Sequence, residues 1–298
     1  MNKTTLQNYA KLIATVGANV QPGQDVNIEA GLDQPEFIYM LVEECYAAGA
    51  RKVAVDFRYP ELTRLHVASQ ELETLSQMED WELARWEHKV QTLPCRIFID
   101  SDDPDGLAGI DQEKYAKALQ SKQRQIKPFR NRMDSKYQWC IAAVPGLKWA
   151  KKLFQEQDDE TAMESLWVAI LRSARALENP IENRRALNKQ MQEKCQWLNS
   201  LGIGQLHYYD QNGTDLTVGM MKESRFRGGG QKTLQGYPIN ANLPSEEVFC
   251  SPKKGLAEGI VYSTMPLSYQ SQLIENFSIR FEGGKAVEVH AEKNEELL

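Results

Sequence analysis

Apolar and polar positions change period several times along the first half of the chain. After the turn signal Pro22-Gly23, the run Asp25-Val26-Asn27-Ile28-Glu29-Ala30 alternates and predicts a strand. Phe37, Met40, Leu41, Glu44, Cys45 and Ala48 then recur at helical spacing, and Gly49 supplies a stop that needs no Cβ. Lys52-Val53-Ala54-Val55-Asp56-Phe57 is the next strand, and residues 61 to 90, rich in Leu, Glu and Trp, read as helix. Arg96-Ile97-Phe98-Ile99-Asp100 is a third strand, followed by the polar loop of residues 101–106 and a polar helix over about 112 to 126. Gln138-Trp139-Cys140-Ile141-Ala142-Ala143-Val144 is a fourth, stopped by Pro145-Gly146, with more helix to about Leu177. Strand and helix in strict alternation imply an α/β fold, a mostly parallel sheet with helices on both faces.

Beyond the break at Asn179-Pro180 the texture changes. A long helix is expected from Glu182 to about Ser200, with Leu187, Met191, Cys195 and Leu198 on one stripe. Period-two segments follow. Residues 205–210 and 214–220 flank Gln211-Asn212-Gly213, a hairpin signal, and residues 277–281 and 285–290 flank Glu282-Gly283-Gly284. Arg227-Gly228-Gly229-Gly230-Gln231 does not sit between a strand and a clear helix, so it reads as a mobile loop rather than a phosphate cradle. The expected organisation is an N-terminal α/β domain over residues 1–180 and a partial α+β domain with antiparallel strands over residues 181–298.

Composition narrows the function classes. The chain has 298 residues, 35 Lys plus Arg and 41 Asp plus Glu, a net charge of −6 that argues against nucleic acid as a partner. No apolar run is long enough to cross a bilayer and no secretory signal opens the chain, so a cytoplasmic protein without membrane partners is expected. The five cysteines are scattered without a CxxC pair, which suggests free thiols. Asp56, Asp100, Asp102 and Asp103 fall at strand ends, where ligands of α/β sheets gather. Acidic residues there serve as turns and helix caps more often than as a site. Neither a GxGxxG nor a GxxxxGK[ST] motif is present.

The segment with the chemistry is Asn242-Leu243-Pro244-Ser245-Glu246-Glu247-Val248-Phe249-Cys250-Ser251-Pro252. In extended chain, adjacent side chains point to opposite faces, so one carboxylate can face a pocket while the other faces away. Adjacent carboxylates suit metal-assisted hydrolysis, one ligating the cation and the other taking a proton from water. The same Pro-Ser-x-Glu pattern also suits a helix start.

This block, with Pro252 and Ala257-Glu258-Gly259, resembles the metalloaminopeptidase family of aminopeptidase T, aminopeptidase S and PepS. The resemblance runs through Tyr9-Ala10-Lys11-Leu12-Ile13, Val16-Gly17-Ala18-Asn19-Val20-Gln21-Pro22-Gly23-Gln24 and Ala47-Ala48-Gly49-Ala50-Arg51. It continues in Asn212-Gly213-Thr214-Asp215-Leu216 and Met265-Pro266-Leu267-Ser268-Tyr269. It implies an α/β N-terminal domain, a C-terminal catalytic domain, a homodimer, a pair of divalent metals (zinc or cobalt), and peptide substrates cleaved at their N-termini. It also implies that Glu246 or Glu247 ligates metal, with Glu246 preferred, and that the other, Glu247, orients the ligand or serves as the catalytic base. The family usually has Thr where this chain has Cys250, for which a buried small residue is the simpler expectation. His66, His88, His207 and His290 are isolated and do not match the family's further Glu, His and Asp ligands, which lie C-terminal to the region covered here. The expectation is a C-terminally truncated copy of the family chain, with a non-catalytic peptide-binding or dimerising fragment as the alternative.

Overall fold

The computed structural model describes residues 1–269 and 272–298. The chain divides into two compact units, Met1–Asn188 with Gly230–Ser245, and Lys189–Gly229 with Glu246–Leu298.

The first unit begins with α1 (Lys3–Leu12), capped by the Asn2 side chain, which accepts from the Thr5 amide. A π turn (Ile13–Gly17) follows, then β1 (Asp25–Gly31), α2 (Pro35–Ala47) and β2 (Lys52–Arg58). Gly49 has φ +97, the left-handed stop expected after α2. The stretch read as one helix over 61–90 is three: α3 (Pro60–Ser69), α4 (Leu72–Ser76) and α5 (Asp80–Thr92). Gln70 and Gln77 are extended at the breaks, and Glu79 restarts the chain as α5 through a reciprocal capping box with Glu82. After β3 (Cys95–Asp100), α6 (Gln112–Met133) runs past Pro128 and ends later than expected. β4 (Trp139–Ala143), α7 (Leu147–Leu153), α8 (Asp159–Ser173) and α9 (Pro180–Ser200) follow.

β2, β1, β3 and β4 lie side by side in that order and all run parallel. The fifth strand, beside β4, is Asn242–Leu243, delivered by a distant stretch of chain, and it too is parallel. One face of the sheet carries Val26, Ile28 and Ala30 of β1 and Cys95, Ile97 and Ile99 of β3, all buried. These pack in one core with Tyr9, Leu12, Ile13, Phe37 and Leu41 from α1, the π turn and α2. A Cβ on Gly17 would lie 2.7 Å from Cys140 Sγ and 3.0 Å from Leu243 Cδ1, so the π turn approaches the sheet closely only as glycine.

The opposite face is polar, unusual for a parallel sheet. Arg58 Nε lies 3.5 Å from Glu29, and its guanidinium stacks 4.2 Å over the Phe98 ring. Arg85 of α5 pairs with Asp56, while Lys89 and Arg96 both approach the Trp86 ring. Burial, with Arg85 and Arg96 nearby, pushes the Lys89 ammonium below its ordinary value. Helices do flank both faces, but α5 holds its face through charge and aromatic stacking rather than an apolar stripe.

In the second unit the hairpin β5 (Gln205–Tyr209) and β6 (Asp215–Met220) joins the strands Pro252–Tyr262, Ser278–Glu282 and Lys285–His290 in an antiparallel sheet. The segment around Gly228–Gly230, read from sequence as a mobile loop, is ordered pairing. Arg227–Gly228 lies antiparallel to Val248–Phe249 in this unit, while Gln231–Lys232 and Pro238–Ile239, which also pair antiparallel, belong to the first unit.

Candidate metal centre

Residues 242–252 are built in three steps. Asn242 and Leu243 pair with Ile141 and Ala142, and Leu243 is buried in the core of the first unit. The Leu243-Pro244 peptide is cis. The Ser245 carbonyl accepts from Arg184 Nη1 at 3.0 Å, and Arg184, 1% exposed, also donates from Nη2 to the Ala174 carbonyl at 3.4 Å. The division between the two units falls between Ser245 and Glu246. Glu246 and Glu247 are both exposed and lie in neither helix nor strand, so the capping pattern of the sequence does not start a helix here. Val248 and Phe249 then pair with Gly228 and Arg227. Gly228 is the close-approach position of this ribbon, because a Cβ there would collide with the Glu247 carbonyl oxygen.

The other acidic candidates are committed elsewhere. Asp56 pairs with Arg85, and Asp102 pairs with Arg58 Nη1 at 2.8 Å. Asp100 Oδ1 accepts from the Asp102 amide, and Asp103 Oδ1 from the Asp105 amide. Lys148 Nζ lies 2.7 Å from Glu61 and 3.6 Å from Asp103, and Lys152 Nζ lies 2.7 Å from Asp105. The Lys148 ammonium holds the Glu61 carboxyl below the usual range. These acids, Asp56 and Asp100 within β2 and β3 and Asp102 and Asp103 in the loop after β3, thus form turns and ion pairs.

The histidines are dispersed. His207 Nε2 lies 2.7 Å from Asp215, and His290 Nε2 lies 3.0 Å from Glu288. His66 Nδ1 is 3.3 Å from the Gln70 amide nitrogen, and the His88 carbonyl accepts from Thr92. Cys45, Cys95, Cys140 and Cys195 are buried, and burial raises each thiol, Cys45 to about 12. Cys250 is half-buried, donates to Met220 Sδ at 3.4 Å, and lines a cavity of the second unit. Sequence reasoning expected it buried and missed that cavity.

Among the described residues no three His, Cys, Asp or Glu side chains converge as a metal site would require. Glu246 and Glu247 offer two carboxylates where a divalent metal takes three or four protein ligands. The donors of the described residues therefore do not fit the metal pair that the sequence resemblance implies.

Residues 2–298 match the family model of the thermophilic metalloproteases (M29). The chain belongs to this family. M29 relatives include aminopeptidase AmpS of Bacillus subtilis (strain 168), 33% identical over 295 residues, covering 98% of this chain and 72% of that protein. Aminopeptidase T of Thermus thermophilus is 34% identical over 298 residues, covering 99% and 73%. Aminopeptidase PepS of Streptococcus thermophilus is 32% identical over 299 residues, covering 99% and 72%. The solved structure of wild-type AmpT from Thermus thermophilus superposes with a TM-score of 0.90 at 32% identity, over 99% of this chain and 73% of that one. M29 membership makes the class of this chain that of metallopeptidase enzymes, and the family implies use of a divalent metal. No helix among the described residues is long and apolar enough to cross a membrane.

Proposed function

We propose that the protein acts on peptides as a metal-dependent aminopeptidase, releasing N-terminal amino acids. The observation that carries this reading is the match to M29 along nearly the whole chain, with relatives named aminopeptidases. In it, residues 1–180 form the N-terminal α/β domain and residues 181–298 the N-terminal part of the catalytic domain. Glu246 is the carboxylate offered to metal. Glu247 is a second metal contact and the general base that takes a proton from the attacking water. Two divalent ions, zinc or cobalt, a homodimer and a cytoplasmic setting complete the proposal. The exposure of both carboxylates, outside helix and strand, supports it, since neither is sealed in a core. The described residues bring no third ligand beside the pair.

The same shortage of donors favours a second reading, in which the chain binds peptides or dimerises without turnover. One experiment separates the two. The intact chain is incubated with a leucyl peptide and Zn²⁺ or Co²⁺, with and without chelator, while free amino acid and bound metal are both measured. Chelator-sensitive release supports the aminopeptidase. Glu247→Gln is then expected to lower the rate about 10²–10⁴-fold, the range for loss of a general base, and Glu246→Gln to lower bound metal. Peptide binding with no release at any metal concentration selects the second reading.

A further inference from the structure

The second unit contains a cavity of about 360 Å³ whose wall carries Lys222, Arg225 and Lys253 and no carboxylate. The three cations are exposed at its rim, and none forms an ion pair among the described residues. Arg225 Nη1 only donates 2.8 Å to the Ser224 carbonyl. Met220, Phe226 and Leu256 give the cavity an apolar wall beside the Cys250 thiol. Phe226 is held by two bonds to Asn199, its amide donating to Oδ1 at 2.8 Å and its carbonyl accepting from Nδ2 at 3.0 Å. The ligand complementary to such a wall is an anion with an apolar flank. A free ammonium would meet only positive charge there.

The cavity is also near the proposed carboxylates along the chain. The paired ribbon Arg227–Gly228 and Val248–Phe249 ends in Phe226 on one strand and Cys250 on the other, and both line the cavity. Cys250 is three residues from Glu247, which is about 10 Å of extended chain. An extended peptide of three residues spans about the same distance.

We infer that this cavity is a carboxylate subsite for short peptides. It takes the C-terminal carboxylate, or an acidic side chain near it, on Lys222, Arg225 and Lys253, while Met220, Phe226 and Leu256 hold the neighbouring apolar side chain. The inference rests on the peptidase reading for its substrate class. It assigns a preference for peptides about three residues long with a free acid end.

The test uses the intact protein and peptides with an acetylated N-terminus, so that binding is read without cleavage. Failure of the subsite and failure of the aminopeptidase reading are then seen separately. N-acetyl-Leu-Ala-Leu as free acid, the same peptide as C-terminal amide, and N-acetyl-Leu-Ala-Glu amide are titrated by calorimetry at low and high salt. The free acid is expected to bind about tenfold more tightly than the amide, a ratio worth about 1.4 kcal/mol. That preference should shrink as salt rises. Binding of the Glu-containing amide as tightly as the free acid assigns the carboxylate to a side chain; weak binding of it assigns the chain terminus. Lys222→Glu with Lys253→Glu should abolish the preference, and Lys253→Gln alone should halve it or more. Equal binding of acid and amide, no binding of either, or a preference that survives charge reversal in a folded double variant would overturn the inference.

Discussion

The strand order of the parallel sheet reverses between β1 and β3, and in sheets of this kind that point opens a crevice beyond the carboxyl ends of the strands. Here the loops after β1, β3 and β4 are joined to one another by hydrogen bonds. Ser101 Oγ donates to Asp33 Oδ2 at 2.7 Å, and Gln34 Nε2 donates to the Pro145 carbonyl at 3.0 Å. A Cβ on Gly31 would collide with Ser101 Oγ, and one on Gly146 with the Ser101 carbonyl oxygen. Gly31→Ala should cost about 1–3 kcal/mol through overpacking, and Ser101→Ala about 1 kcal/mol through its lost hydrogen bond. The double variant should cost less than the sum, because removing Oγ clears the space that the new methyl needs. Urea unfolding of the four proteins measures the coupling. Strict additivity would mean that the alanine at position 31 is relieved by backbone movement instead.

At the scale of elements, α9 anchors the segment that precedes Glu246. Arg184 in its second turn, fully buried, joins the carbonyl at the end of α8 to that of Ser245. Arg184→Met keeps the bulk and leaves both carbonyls without that donor, which should destabilise by about 2–6 kcal/mol at about 1–3 per buried unsatisfied group. Arg184→Lys, with a point charge in place of a planar fork, should recover part of this. Thermal unfolding of both variants checks the order. Such a role is invisible to periodicity, which marks Leu187, Met191 and Cys195 as the buried stripe of α9 but says nothing of a buried guanidinium. The four strands of the first sheet at 25–30, 52–57, 96–100 and 138–144 and the two hairpins were legible because their alternation is local, whereas the long strand Pro252–Tyr262 was not read as a strand. The three-way division of residues 61–90 was not, since Gln70 and Gln77 break the helix without glycine or proline. The glutamate pair stands out in the sequence through its block of neighbours. The cavity lined by Cys250 was not legible, because its wall is assembled from residues near 200, 222 and 253, which meet only in the folded unit.

At the scale of the molecule, the sheet of the first unit is complete only after the chain has passed through the second and returned with Gly230–Ser245. A two-residue strand has too few positions to show a period, and its partner lies about a hundred residues earlier, so no sequence pattern announces it. Its energetic weight is nonetheless concentrated. The Ile141 amide donates to the Ala241 carbonyl at 2.7 Å, and the Asn240 amide to the Gly17 carbonyl at 2.9 Å. Leu243, 2% exposed, fills the space beside Gly17 and Cys140. Leu243→Ala should therefore cost about 2–5 kcal/mol, the range for truncating a buried leucine. The loss should fall on the unfolding of the first unit, read by the near-ultraviolet signal and hydrogen exchange of β3 and β4. Val248→Ala, half-buried five residues later in the second unit, should leave exchange in those strands unchanged. Protein ended at residue 229 should expose the β4 edge, lose stability and associate through that unpaired strand. Protein ended at residue 245 should retain the protection of Ile141. If the two shortened proteins unfold alike, the returning strand is an ornament of the fold.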